Sequence, residues 1–182
     1  MALISKYKSK YDLALQYYKK RLDWNFKSGD SVAIAHSYKD IGSVYRNQGD
    51  YKKALENYHL ALNISDAAGY TRGVALCYNS IGIVYKSQGL YKQALDFYFK
   101  SLKIKEELGN RESIAASYNN IGILYAVQEN YQKALEFHFK SLEIKKEVND
   151  QPGIASSYNN IGEIYYQTGK YDAALEYLEK SL

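Results

Sequence analysis

Three histidines, one cysteine, four evenly placed glycines and a few paired acids are the residues of this 182-residue chain equipped for chemistry. His36, His59 and His138 would serve a metal or a general base only if ligand spacing brought them together, and no HExxH or Cys/His pattern links them. His138 replaces a tyrosine of a helical stripe and is expected to be partly buried. Cys77 would need a neighbouring base to become a nucleophilic thiolate, and none is spaced to activate it. It reads instead as a small apolar filler. Gly42, Gly82, Gly122 and Gly162 are single, whereas a phosphate-cradling loop needs clustered glycines after a strand. Glu106-Glu107 sits among lysines in KIKEELGN, the pattern of a solvated helix face with i,i+4 pairing. Asn63-Ile64-Ser65 has the form of a glycosylation sequon but falls in the middle of a helical stretch. No catalytic constellation emerges, so the expectation is a non-enzyme without cofactor or metal.

All of these residues are placed by a 40-residue period. SYNNIG stands at 117–122 and again at 157–162, with CYNSIG at 77–82 and SYKDIG at 37–42. Fixed columns follow: Tyr38, Tyr78, Tyr118 and Tyr158; the Ile-Gly pairs ending at Gly42, Gly82, Gly122 and Gly162; Tyr45, Tyr85, Tyr125 and Tyr165. Further along come Tyr11, Tyr51, Tyr91, Tyr131 and Tyr171, each trailed by an Ala-Leu pair such as Ala54-Leu55. With Tyr18, Tyr58 and Tyr98, these columns absorb 16 of the 21 tyrosines. The tyrosine excess is therefore repeat chemistry and not an aromatic cage.

Spacing within a repeat gives the local structure. Tyr118, Ile121, Gly122 and Tyr125 lie at i, i+3, i+4 and i+7, one face of a helix, and Tyr131, Ala134, Leu135, His138 and Leu142 trace a second. Gly49, Gly89 and Gly169 stand where the first helix ends, a position that suits glycine; Glu129 stands there in the third repeat, so that turn is expected to be less well stopped. Pro152 falls in a first turn, where its missing N–H costs nothing. A mid-helix glycine costs about 1 kcal/mol relative to alanine. Four of them imply close helix approach, expected against the Ala54 column. Each repeat is thus a helix–turn–helix hairpin, and hairpins that cannot bury their apolar faces alone must stack into a solenoid.

The bulk numbers agree. One proline in 182 residues suits uninterrupted helices. The net charge of +4 comes wholly from residues 1–30, which carry seven Lys/Arg against three Asp/Glu. The balanced remainder argues against nucleic acid as a partner. No apolar run approaches a membrane span, so no membrane insertion is expected. A lone cysteine fits a reducing compartment, hence the cytoplasm, with the periplasm as the alternative for part of a membrane sensor.

Tyr-x2-Ile-Gly-x2-Tyr followed by Ala-x3-Tyr/His resembles the tetratricopeptide repeat, with Tyr where that family often has Trp. The forty-residue length is similar to the long-repeat branch of Pins-type adaptors, kinesin light chains and Rap-type regulators. The SYNNIG…ALE…KSL wording is similar to bacterial arrays fused to sensor kinases or cyclases. The resemblance spans essentially the whole chain. It implies an all-α fold, a right-handed α-solenoid of stacked antiparallel helix pairs. On this reading residues 1–182 form one solenoid domain: a partial repeat 1–30, repeats 31–70, 71–110 and 111–150, and a truncated repeat 151–182. Residues 1–10 align with the tail of a first helix. No polar capping helix is visible at either end, so the chain reads as a piece of a longer array whose uncapped ends could self-associate end to end.

At 100° per residue, the face of each first helix turned from its partner helix varies freely between repeats while the packing columns hardly vary. It carries Arg46 in one repeat; Asn79, Ile83 and Lys86 in the next; Asn119, Asn120 and Ile123 in the third; and Asn159, Asn160 and Glu163 in the fourth. Apolar residues there either pack against the neighbouring first helix or line a groove. The resemblance implies a concave groove on this face, in which Asn120 and Asn160 hold a ligand's backbone through amides that both donate and accept. Arg46 and Lys86 would meet an acidic group. The functional expectation is a scaffold binding a protein partner through a peptide or helical segment. The alternative is a sensory or regulatory module of a larger signalling protein: a histidine kinase, a cyclase or a Rap-like regulator.

Overall fold

The computed structural model describes residues 2–182, with side chains from residue 10 onward. Among the described residues it is entirely helical: α1 (Ala2–Ser28), α2 (Ser31–Asn47), α3 (Tyr51–Ala67), α4 (Thr71–Ser87), α5 (Tyr91–Glu107), α6 (Arg111–Val127), α7 (Tyr131–Glu147), α8 (Gln151–Gln167) and α9 (Tyr171–Glu179). Successive helices form antiparallel pairs, the stacked-hairpin architecture expected of the repeat. The chain divides into two compact units, Met1–Phe97 and Tyr98–Leu182. In the first unit α2 packs on α1, α3 and α4; in the second α8 packs on α6, α7 and α9.

Caps set the helix boundaries. Asp30, Asp50, Asn110, Asn130 and Asp150 each accept from the backbone N–H three residues on, at 2.9–3.2 Å, which satisfies one of the orphan donors of a helix start. Pro152 lies in the first turn of α8. Gly49, Gly89 and Gly169 adopt φ of 80°, 74° and 74°. Glu129 takes the same left-handed conformation at φ 57°. Its turn is closed like the others, with Glu129 N donating to Ala126 O at 2.9 Å and Asn130 N to Tyr125 O at 2.9 Å. The weaker stop expected there does not occur, because those two bonds and the Asn130 cap hold the turn; glutamate bears the penalty as backbone strain instead. At the other end, α1 runs unbroken from Ala2. Ser9 and Lys10 stand where Gly49 and Asp50 end and restart a helix, so the tail of a first helix that the period suggested continues straight into the second-helix register.

The tyrosine columns are scaffold. Ala54, Tyr58, Ile81 and Val84 form a buried cluster in the first unit, and Tyr58 Oη lies 3.1 Å from Ser43 Oγ. Phe97, Phe137 and Tyr177 stack on Tyr85, Tyr125 and Tyr165 with centroids 5.4–5.6 Å apart. The glycine column meets these second helices, but at Gly42 and Gly122 through a ring more than through the alanines. A Cβ on Gly42 would lie 2.8 Å from Tyr58 Cε1 and 3.2 Å from Ala54 O, and one on Gly122 would lie 2.9 Å from His138 Cε1.

A polar column recurs among the buried residues of both units. Asn25 Nδ2 donates to Ser37 Oγ at 2.9 Å, Lys105 Nζ to Ser117 Oγ at 2.7 Å, and Lys145 Nζ to Ser157 Oγ at 2.8 Å. The second repeat carries buried Ser65 and Cys77 at these places. The lysines of KIKEELGN and EIKKEVND are therefore not all solvated: Lys105 and Lys145 are buried, while Glu106 and Glu107 are exposed.

Candidate functional site

The face singled out by sequence variation is carried by the first helix of each repeat, and each unit presents its own stretch. In the first unit, Arg46 of α2 donates to Asn47 Oδ1 at 3.1 Å. Asn79, Ile83 and Lys86 of α4 are half-buried, and Asn79 is engaged within the protein. Asp40 is held by Arg21 at 2.6 Å and Lys39 at 3.0 Å. Although burial opposes it, these hydrogen-bonded cations keep its carboxyl below the usual range. His36 Nε2 lies 3.3 Å from Tyr70 Oη, and burial followed by the Lys39 charge pushes its pKa down.

In the second unit the face opens into a pocket of about 390 Å³ between α6 and α8, floored by α7. Four expected residues line it: Ile123, Asn159, Asn160 and Glu163. Asn119 and Asn120 do not. Instead Asn160 Nδ2 donates to Asn119 Oδ1 at 2.9 Å, tying the two first helices together, and Asn120 is likewise engaged within the protein. Val127, half exposed, also lines the pocket, so this apolar residue is not consumed by contact with the neighbouring helix. Gln167 Nε2 donates to Glu163 Oε1 at 2.8 Å.

Among the residues not anticipated, Glu129 and His138 matter most. Both interrupt repeat columns: Glu129 stands in the glycine column and His138 in the tyrosine column. Those interruptions were the signal that could have found them. His138 is 1% exposed, more deeply buried than expected. Its Nδ1 has no hydrogen-bond partner among the described residues. Burial, with help from the Lys145 charge, pushes its pKa down to about 4, so the imidazole is neutral near pH 7. Compared with Tyr58, whose hydroxyl fills the space beside Ser43, the shorter ring leaves room beside Ile123, the residue in the Ser43 column.

Among the described residues no group of three or more His, Cys, Asp or Glu is placed to hold a metal. Burial pushes the Cys77 thiol up to about 11, which keeps it a thiol and a filler. The pocket offers apolar walls, amides and two carboxylates: the equipment of a binding site. No described helix is long and apolar enough to cross a membrane.

No curated protein matches the chain by sequence. Among solved structures, BtubC (BKLC) from P. vanneervenii is 23% identical over 96% of this chain and 72% of its own, with a TM-score of 0.83. A Rap protein complexed with Competence and Sporulation Factor is 21% identical over 98% of this chain and 50% of its own, at 0.81. Aspartyl phosphate phosphatase F from Bacillus subtilis is 19% identical over 97% and 48%, at 0.86. The chain spans about half the length of these last two. At such identities the likeness is one of fold. The family model for the tetratricopeptide repeat matches residues 31–107 and 113–182, and the chain belongs to that family.

Proposed function

We propose that the chain is a non-catalytic protein-interaction scaffold that binds a peptide or helical segment along the outward face of its first helices. One observation carries this reading. The face that varies between repeats, while the packing columns do not, opens in the second unit onto a pocket lined by Ile123, Asn159, Asn160 and Glu163. Arg46, Asn79, Ile83 and Lys86 occupy the corresponding repeat positions in the first unit, and Asn119 and Asn120 those in the second. Peptides selected by display against the whole chain test the reading. The Asn120→Ala/Asn160→Ala variant, its helix content checked by circular dichroism, is expected to bind a selected peptide about tenfold more weakly. Unchanged affinity removes the asparagines from the site.

A regulatory role within a longer signalling protein is the second reading, supported by the likeness to a Rap protein solved with Competence and Sporulation Factor. End-to-end self-association is a further part of the proposal. Tyr171 and Leu175 of α9 are 65% and 60% exposed, whereas Tyr131 and Leu135 in the same columns are half-buried. Sedimentation across a range of concentrations tests it, and a monomer throughout would count against it. The cytoplasm remains the proposed location.

A further inference from the structure

The pocket between α6 and α8 differs from the rest of the face in charge as well as depth. Glu129 and Glu163 line it, and among the described residues neither is paired with a Lys or Arg. Among the described residues no Lys or Arg lines the pocket. The columns explain how this arises. Arg46 and Lys86 give way to Ala126 and Tyr166 in the later repeats, and the place held by Ser43, Ile83 and Ile123 becomes Glu163 in α8. Two cations are lost and a carboxylate is gained on one face.

Glu129 adds independent weight. Three other repeats place glycine at its position, and glutamate is held there at φ 57° against its backbone preference. Strained positions of this kind cluster at binding and active sites. Glu129 itself is one of the residues that line the pocket. The floor is His138, 1% exposed, with an unpartnered Nδ1 and a ring too short to fill the space that a tyrosine hydroxyl takes in the first unit. Ile123 and Val127 supply an apolar wall. A long aliphatic stem ending in a cation fits this arrangement, because lysine and arginine bury their methylenes while their charged heads meet carboxylates.

We infer that this pocket is the specificity pocket of the proposed groove and takes a lysine or arginine side chain of the bound peptide, its stem against Ile123 and Val127 and its head at Glu129 and Glu163. The inference rests on the peptide-binding reading and narrows it. In contrast to an acidic peptide meeting Arg46 and Lys86, it assigns the second unit a basic determinant.

Random peptides displayed on phage and selected against the whole chain provide the test. The expected result is a basic residue at one fixed place in the selected peptides. Replacing it by citrulline or norleucine, or using Glu129→Gly/Glu163→Gln, should weaken binding about tenfold, and the two changes together should cost little more than either alone. His138→Tyr/Ile123→Ser, which rebuilds the Tyr58–Ser43 pair and removes the apolar wall at Ile123, should weaken the same peptide and its norleucine-substituted form alike. Selected peptides with no fixed basic place, or a basic preference that survives the double glutamate variant, overturn the pocket assignment and leave the groove standing. Failure to select any peptide overturns both. Saturable binding of spermidine, lost in the glutamate variant and without any peptide selected, would make the pocket a free-amine site and sink the peptide occupant.

Discussion

Lys145 Nζ donates to Ser157 Oγ at 2.8 Å in the core of the second unit, and the lysine is 7% exposed. Among the described residues no carboxylate closes an ion pair with it. Burial holds its ammonium below the usual lysine range, although the Asp150 charge acts the other way. A cation kept inside by one hydroxyl depends on that hydroxyl. Ser157→Ala should therefore destabilise the fold by about 1–3 kcal/mol. Lys145→Met, which keeps the stem and removes the charge, should cost less than Ser157→Ala or even stabilise. Urea unfolding of the two variants checks this. If Lys145→Met proves the more damaging change, the lysine is stabilising the core as a cation and the expected ranking is reversed.

The glycine column predicts a graded response. Alanine is the better helix former by about 1 kcal/mol, yet a Cβ at Gly42 would sit 2.8 Å from the Tyr58 ring and 3.2 Å from a backbone oxygen. The ring is anchored by Ser43, and overpacking of this kind costs about 1–3 kcal/mol. Gly42→Ala should be net destabilising. At Gly162 the backbone contact is alike, with Ala174 O at 3.3 Å, but the nearest atom is Leu178 Cγ at 2.8 Å, on a side chain that can turn aside. Gly162→Ala should be milder, even neutral. Thermal melts of the two variants decide it, and equal losses would show that the rings do not set the helix spacing.

Much of this architecture is legible in the sequence because repetition exposes it. Residues that never vary between repeats, such as Tyr45 or Ala54, must pack against one another whatever the partner. The buried lysine–serine contacts were not legible, because a lysine in the last turn of an amphipathic helix looks solvated until the next helix is placed over it. Asn160 was legible as a member of the outward face but not as a bond to Asn119. Spacing gives the face a side chain occupies, and the neighbouring repeat decides what it touches. His138 and Glu129 were visible as exceptions to their columns. Only the structure brings those two exceptions to one pocket.

Glu129 carries strain that glycine would not. A non-glycine residue in the left-handed region costs about 1 kcal/mol, and Glu129 is exposed, with turn bonds that involve its backbone alone. Glu129→Gly should raise stability by about that amount, while Gly89→Ala, at φ 74°, should lower it by a similar amount. Differential scanning calorimetry reads both. A loss of stability on Glu129→Gly would mean that the glutamate side chain contributes to the fold, which would weaken its assignment to binding.

The neutral His138 should tie stability to mild acid. In the unfolded chain the imidazole takes up a proton near 6.5, and in the fold only near 4. Between those values the unfolded state binds more protons, so stability falls as pH drops from about 6.5 to about 4, and this group adds no further loss below that. The full effect is at most roughly 3 kcal/mol. His36 shifts in the same direction by a shallower burial, whereas Asp40, its carboxyl held low by Arg21 and Lys39, begins to act only in stronger acid. His138→Phe removes the titrating group and keeps a ring over Gly122, with no hydroxyl to strand beside Ile123. Its stability relative to the natural chain should therefore rise steadily as urea titrations step from pH 7 through 5.5 to 4.5. A difference that stays constant over that range would mean that the buried ring takes its proton as readily in the fold as out of it.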